Sequence, residues 1–436
     1  MLSIFRNSWK VPEIRKKLFF IILMLAVYRI GTVIMLPGVA PIYTDTDAPM
    51  VLIMMLIGGN PGTIFAMGIQ PYITASIIMQ LLTVAIPALE RMKKEGEEGR
   101  KKINQITRVS AIGLAFVQGT ATVYGLSVGD GFLPGYNNFF VWMVSVGAIV
   151  TGTMFIMWIA ELITEKGIGN GTSFIITANI LAALPGGLIY LWDQANINWV
   201  SLLLVLLIVA SFVFIIAFAV LIQEGERKIP VQYSKKMVGK QLYGGQTSHI
   251  PVKVNIAGVM SIIFASSMLG LPMLINNFFP NAIGDGVIRF FHMSTPTGAL
   301  IYVILIFCFT FFYTSFSVNP AEMAENLKKN GGAIPGVRSG APTRDYIART
   351  VNRLSWIGAC FYSAVALIPI LFEWITGFIR AAVDGGRYEF FGEGSFYAIR
   401  VGFGGTTLLI VVGVGLELVK QMESQLLTRH YKGFLS

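Results

Sequence analysis

Charge is scarce in this sequence. Asp, Glu, Lys and Arg make up 13% of its 436 residues, half of the ~25% that a typical soluble domain carries. Apolar residues make up 54%, and mean hydropathy is +0.68. A water-facing surface cannot be built from that supply, so the composition points to an integral membrane protein. Cysteine is nearly absent: Cys308 and Cys360 lie in separate apolar runs, and His249, His292 and His430 are scattered. Neither a disulfide framework nor a zinc site can be assembled from them. Also missing are the GxSxG nucleophile elbow, the HExxH zinc helix and the phosphate-binding P-loop, so enzyme chemistry is not expected. Gly167-Ile168-Gly169-Asn170-Gly171 is rich in glycine, but it follows an apolar run rather than a strand and reads as a turn. A cleavable signal segment is not expected either. MLSIFRNSWKVPEIRKK is polar and basic, and the run behind it, Leu18 to Leu36, is too long for a signal core and has no small-residue cleavage pattern.

Long apolar runs are what the sequence does have. A helix needs about twenty apolar residues to cross the hydrocarbon core. Runs near that length fall at 18–36, 70–89, 109–127, 138–163, 172–192, 199–222, 254–275, 298–318, 354–376 and 401–419. The expectation is an all-α integral membrane protein with ten transmembrane helices. Basic residues set its direction. Arg29 sits inside the first run, and Arg289, Arg380, Arg387 and Arg400 lie on one side. The rest of the 33 Lys and Arg residues fall in the tails and alternate connections of the other side. The positive-inside rule makes that side cytoplasmic, with both termini on it, a parity that agrees with an even number of spans. Topology and anionic lipid then account for the net charge of +10 without invoking nucleic acid.

Between Gly58 and Gln80, GGNPGTIFAMGIQPYITASIIMQ sets helix breakers into an apolar stretch. The residues before it, Met50 to Ile57, would make about 12 Å of helix, too short for a core of about 30 Å. Gly58-Gly59 and Asn60-Pro61-Gly62 then forbid a continuous helix. Unpaired backbone at that depth is tolerated only where it lines a cavity or is buried in protein. Broken helices also mark ion-coupled small-molecule transporters, which often keep ionisable groups deep in the membrane. Here Arg29, Glu161, Glu373 and Glu417 supply no proton relay. Snorkelling or interfacial placement accounts for the glutamates, and a lipid headgroup or another helix could pair with Arg29. Two connections, 223–253 and 319–353, are long, basic and punctuated by Gly and Pro. Ile229, Val231, Tyr233, Ile334 and Val337 recur among their charges, which is expected of a surface that docks another protein rather than of a solvated connector.

Six blocks carry a resemblance. GIQPYITASIIMQLL (68–82), EKGIGNGTSFII (165–176), ERKIPVQYSKK (226–236), HIPVKVNIAGV (249–259), NLKKNGGAIPGVRSG (326–340) and GGTTLLIVVGVGLE (404–417) are similar, in order, to signatures of the SecY family. That family comprises the channel subunits of the bacterial Sec protein translocase, and the resemblance covers essentially the whole chain. It implies two pseudo-symmetric five-helix halves, 1–192 and 193–436, closing as a clamshell around a central pore. The implied function is that of a protein-conducting channel in the bacterial plasma membrane. Unfolded secretory polypeptides pass through, and apolar segments leave sideways into lipid. The implied partners are SecE, SecG, the SecA ATPase, ribosome–nascent chain complexes, signal sequences and membrane lipid, with no cofactor and no direct nucleotide binding. Two alternatives stand beside it: an accessory translocon paralogue with a restricted substrate set, and an ion-coupled small-molecule transporter.

The same resemblance implies site residues. A plug occupies about 48–68 and includes Met54, Leu56, Gly58, Asn60, Ile64 and Phe65. A pore ring falls at Ile73 and Ile77, Thr172 and Ile176, Ile263 and Ile410. Residues four apart share a helix face, and an apolar constriction resists ions by dewetting. Thr172 departs from the usual aliphatic residue, so either the ring has a polar member or the register shifts there. The lateral gate lies between spans two and three and spans seven and eight. Gln80 and Asn179 are polar residues near it that either tune its opening or simply hydrogen-bond between helices. For SecA and ribosome docking the resemblance singles out Arg338, supported by Arg227, Lys228, Lys235 and Lys236.

Overall fold

The computed structural model of the chain describes residues 11–39, 62–128, 131–133, 138–195, 199–233, 236–238, 241–243, 247–278, 284–293, 295–383 and 405–432, together with Trp9, Gly135 and Tyr136. Each of the ten expected spans falls on a helix. In chain order the helices are α1 (Pro12–Gly31), α2 (Gln70–Ala85), α3 (Pro87–Lys94), α4 (Glu97–Val128), α5 (Phe139–Lys166), α6 (Gly171–Ala195) and α7 (Trp199–Glu224). Strands β1 (Glu226–Tyr233), β2 (Lys236–Val238), β3 (Gln241–Tyr243) and β4 (Thr247–Lys253) follow. Then come α8 (Met260–Phe278), α9 (Asp285–Phe291), α10 (Pro296–Ser317), α11 (Pro320–Lys329), β5 (Gly332–Ala333), α12 (Ala341–Val383) and α13 (Gly405–Lys432). Among the described residues, five stretches are long and apolar enough to cross a membrane: Glu97–Ser127, Phe139–Lys166, Val205–Glu224, Pro296–Lys329 and Ala341–Ile368. The bent pair α2–α3 makes a sixth if taken as one span, and α6 and α8 contribute the shorter apolar stretches Gly171–Ala182 and Met260–Gly270.

Packing divides the chain into two compact units, one of residues 1–206, 274–282 and 386–436, the other of 207–273 and 283–385. This grouping follows contact rather than sequence order and is distinct from the symmetry halves expected at 1–192 and 193–436.

In the first unit, α1 turns Ile14, Leu18, Ile21 and Tyr28 inward, a helical stripe that meets Ile156, Ile159, Ala160 and Ile163 of α5. Phe19, Ile22 and Leu23 on the other side of α1 stay exposed, as a helix that is apolar all round requires where lipid replaces water. The expected span 70–89 does not continue straight to its end. Pro87 drives Ile86 out of the helical region, to φ −107° and ψ 112°. Helix α3 therefore leaves α2 at 99°.

In the second unit, the two long basic connections fold together. Strand β1 pairs antiparallel with β4, setting Ile229 opposite Ile250, and on its other edge with β5, setting Gln232 opposite Ala333. Pro230 lacks the N–H that a ladder needs, and it sits where β1 has β4 alone as a neighbour. Strands β2 and β3 form a separate antiparallel pair.

Candidate functional site

The α5–α6 turn fixes where α6, the helix of the expected ring positions Thr172 and Ile176, begins. Asn170 caps α6: its Oδ1 accepts from the Thr172 backbone N–H at 3.0 Å and from the Thr172 hydroxyl at 2.7 Å. The hydroxyl that set Thr172 apart from the expected aliphatic residue is thus committed to the helix start. One residue earlier, the Gly171 N–H donates to Thr164 Oγ1 at 2.9 Å, and that hydroxyl donates to the Ala160 carbonyl at 2.8 Å. There is no room here for a side chain, because a Cβ on Gly171 would stand 1.9 Å from the Ala160 oxygen. Gly169 takes φ +93°, a conformation that glycine adopts without strain. The glycine-rich run is a tight turn, as its sequence suggests.

Ile73 of α2 and Ile176 of α6 pack against one buried cluster, which also contains Tyr28, Phe65, Ile69 and Ile175. Ile77, one turn beyond Ile73, is buried. Ile410 of α13 is half-buried. Ile263 lies in the second unit, half-buried on α8.

Of the residues expected in a plug, Met54, Leu56, Gly58 and Asn60 lie outside the described residues, while Ile64 and Phe65 belong to a well-held segment. The Leu36 N–H donates to the Gly62 carbonyl at 2.8 Å, and the Ile64 N–H donates to the Ile34 carbonyl at 3.0 Å. Phe65 is stacked between Tyr28 (ring centroids 5.9 Å apart) and Phe155 (6.0 Å). Two glycines permit this approach. A Cβ on Gly31 would meet the Phe65 ring at 1.9 Å, and one on Gly152 would meet the Ile64 carbonyl oxygen at 2.3 Å.

The two candidate gate residues are only partly satisfied. Gln80 Nε2 reaches Ser76 Oγ at 3.4 Å, and its Oε1 is buried without a hydrogen bond. Asn179 Oδ1 accepts from the Tyr28 hydroxyl at 2.6 Å, and its Nδ2 is likewise buried and unpartnered. Glu161, expected to snorkel or sit at the interface, forms an ion pair with Arg108, 53 residues earlier, at 2.6 Å. Sequence gave no sign of that partner, because helix packing alone brings α4 and α5 together there.

The two long basic connections correct one expectation. Ile229, Val231 and Ile334 do not face outward toward a docked protein. They are buried together with Val252, Leu327, Ile347, Val351 and Leu354 in a small core, with Val337 packed at its edge. On β1 only Ile229 and Val231 are buried, while Arg227 and Lys228 before them and Tyr233 after them are exposed. Lys236 lies on β2, and Lys235 lies outside the described residues. Arg338 is exposed on a turn whose ends are fixed: the Val337 N–H donates to the Ile334 carbonyl at 3.0 Å, and Thr343 Oγ1 donates to the Arg338 carbonyl at 2.8 Å. Gly336 and Gly340 supply the left-handed backbone the turn needs, at φ +80° and +105°.

Some other cations of the chain are already engaged. Lys94 pairs with Glu90 one turn away at 2.6 Å, and Lys329 with Glu325 at 2.9 Å. Arg227, Lys228 and Arg338 form no ion pair among the described residues, so their charge is open to a partner. A Val231→Asp substitution is expected to unfold this small core, since an unpaired buried carboxylate costs more than about 3 kcal/mol. Limited proteolysis of the membrane-embedded protein should then cut at 223–253, while Gln232→Glu on the exposed face should leave the connection resistant.

A SecY family model matches residues 63–419. Relatives called protein translocase subunit SecY from Streptomyces scabiei, Thermus thermophilus and Aquifex aeolicus are each 40% identical over 458, 449 and 453 residues. They cover 100% of this chain and 100%, 98% and 100% of their own. A solved protein conducting channel and a SecY channel whose plug domain stabilises the closed state each superpose with a TM-score of 0.65 at 19% identity, over 96% of both chains. Sec61 from a canine ribosome–channel complex gives 0.60 at 18%, again over 96% of both. The fold is that of the polytopic helical membrane channels. By sequence along its full length, the chain belongs to the SecY family.

Proposed function

We propose that the chain is the protein-conducting channel of the general secretory pathway in a bacterial plasma membrane, with both termini cytoplasmic. The observation that carries this reading is its 40% identity, end to end, to subunits named for protein translocation. Its physics fits the task without covalent chemistry. A polar segment passes through, because placing Lys or Asp in mid-membrane lipid costs about 2.5–3.5 kcal/mol, and a segment of about twenty apolar residues leaves sideways. The ring of Ile73, Ile77, Thr172, Ile176, Ile263 and Ile410 serves as an apolar seal that fits any passing side chain, and the 48–68 segment serves as its plug. Opening moves the halves 1–192 and 193–436 apart, with Gln80 and Asn179 near the gate. SecE braces the channel, SecG joins it, and the SecA ATPase or a ribosome supplies the polypeptide. Sec61 and the yeast Ssh1 complex have been solved with ribosomes, which supports the last of these.

Reconstitution tests the reading. Vesicles containing this chain with SecE, given SecA and ATP, are expected to take up a secretory precursor into a protease-protected space. Failure to do so, or gradient-driven uptake of a small solute without the ATPase, would overturn it.

A further inference from the structure

Three observations in the first unit converge on Tyr28. Its side chain, on α1, is fully buried. Its hydroxyl makes a 2.6 Å hydrogen bond to Asn179 of α6, and its ring lies within 7° of parallel to Phe65. Asn179 stands seven residues after Thr172 and three after Ile176, a spacing that sets all three on one face of the helix. Phe65 belongs to the segment 62–69, where the chain re-enters the described fold and which includes the end, 62–68, of the region proposed as plug. Tyr28 therefore touches a pore helix with its hydroxyl and the root of the plug with its ring.

The polar half of this contact is only partly satisfied. Asn179 Oδ1 has the Tyr28 hydroxyl, but Nδ2 is buried with no partner. A purely packing contact between α1 and α6 would be better served by two aliphatic side chains, since a buried amide with an unmade bond carries its full desolvation cost. A half-satisfied amide suits a contact that is to be given up, because moving α6 loses one hydrogen bond and not a network. The apolar half is rigid by contrast. Gly31 lies directly under the Phe65 ring, and Phe155 closes the far side, so a shift of Tyr28 displaces Phe65.

We propose that Tyr28 is a positioning residue that latches the pore helix α6 to the root of the plug and so holds the resting channel sealed. This rests on the channel reading given above. Pore and plug are coupled through one tyrosine, its hydroxyl sensing α6 and its ring gripping Phe65.

The test uses the full chain with SecE in vesicles and compares wild type, Tyr28→Phe, Asn179→Leu and the double variant. Tyr28→Phe keeps the ring and removes the bond. Chloride leak through the resting channel is expected to rise about fivefold, the shift of a two-state equilibrium that loses one ordinary hydrogen bond. ATP-driven uptake of a secretory precursor should be unchanged by Tyr28→Phe, and amide exchange of residues 62–69 should quicken by about the same factor. In the Asn179→Leu background Tyr28→Phe should add nothing, since the two residues act as one pair. A Tyr28→Phe leak equal to that of wild type overturns the latch, as does a double variant whose leak multiplies the two single effects. Should wild-type vesicles fail to take up the precursor, the channel reading falls instead. Amide exchange then decides by itself whether Tyr28 holds the 62–69 segment.

Discussion

Arg338→Glu is expected to reduce SecA-driven uptake of a secretory precursor by about a hundredfold while leaving the amount of SecE that co-purifies unchanged. The size follows from placing like charges at a partner surface, which costs several kcal/mol, with each 1.4 kcal/mol a factor of ten. The selectivity follows from the geometry. Arg338 is exposed and unpaired among the described residues, so reversing its charge breaks no internal contact. The turn is held by its neighbours, through the 3.0 Å bond to the Ile334 carbonyl and the 2.8 Å bond from Thr343 Oγ1, and Ile334 anchors it in the small core. The loss should therefore appear in the transport rate and in its salt dependence, not in expression or thermal stability. Arg338→Lys should retain part of the activity, because it keeps the charge but not the planar fork of donors. Normal secretion by Arg338→Glu would remove this residue from the docking surface.

The second large effect is expected from a single methyl group. Gly171→Ala should destabilise the first unit by about 3 kcal/mol, the upper part of the usual range for overpacking. The new Cβ would stand 1.9 Å from the Ala160 oxygen and 2.7 Å from its carbonyl carbon. These are backbone atoms of α5, so no side chain can swing aside. Relief requires α6 to back away, which breaks the chain of bonds from the Gly171 N–H to Thr164 Oγ1 and on to the Ala160 carbonyl. Thermal unfolding in detergent micelles would measure the loss. Gly147→Ala is the control: a Cβ at Gly147, within α5, has nothing within 4 Å. A glycine in a helix gains by such a change when nothing is struck.

What the sequence made legible was set by local signals. Hydropathy located every span, because each needs only its own run of apolar residues. The sidedness of the basic residues sets an expected direction in the same local way. The cap on α6 was also within reach, since Asn170-Gly171-Thr172 is a fitting helix start, and it gives the Thr172 hydroxyl a role where the expected ring called for an aliphatic residue. Pro87 was visible too, but its effect was not, because a proline near the end of an apolar run does not say by how much the helix turns. Contacts between distant residues stayed hidden. Arg108 and Glu161 meet only because α4 packs on α5. Ile229, Val231 and Ile334 looked like an outward-facing set because Leu327, Ile347 and Val351, which cover them, lie about a hundred residues downstream of β1.

The backbone pairing of β1 with β5 also bears on mechanical force. Gln232 is tied to Ala333 and Tyr233 to Gly332, so the hairpin after α7 and the turn before α12 are riveted into one plate. A motor that leans on Arg338 cannot tilt that turn alone. Its thrust is shared between the foot of α7, which runs into β1 through Gly225, and the head of α12, which starts at Ala341. Under the docking proposed above, a push delivered at that one cation would bear on two helices at once.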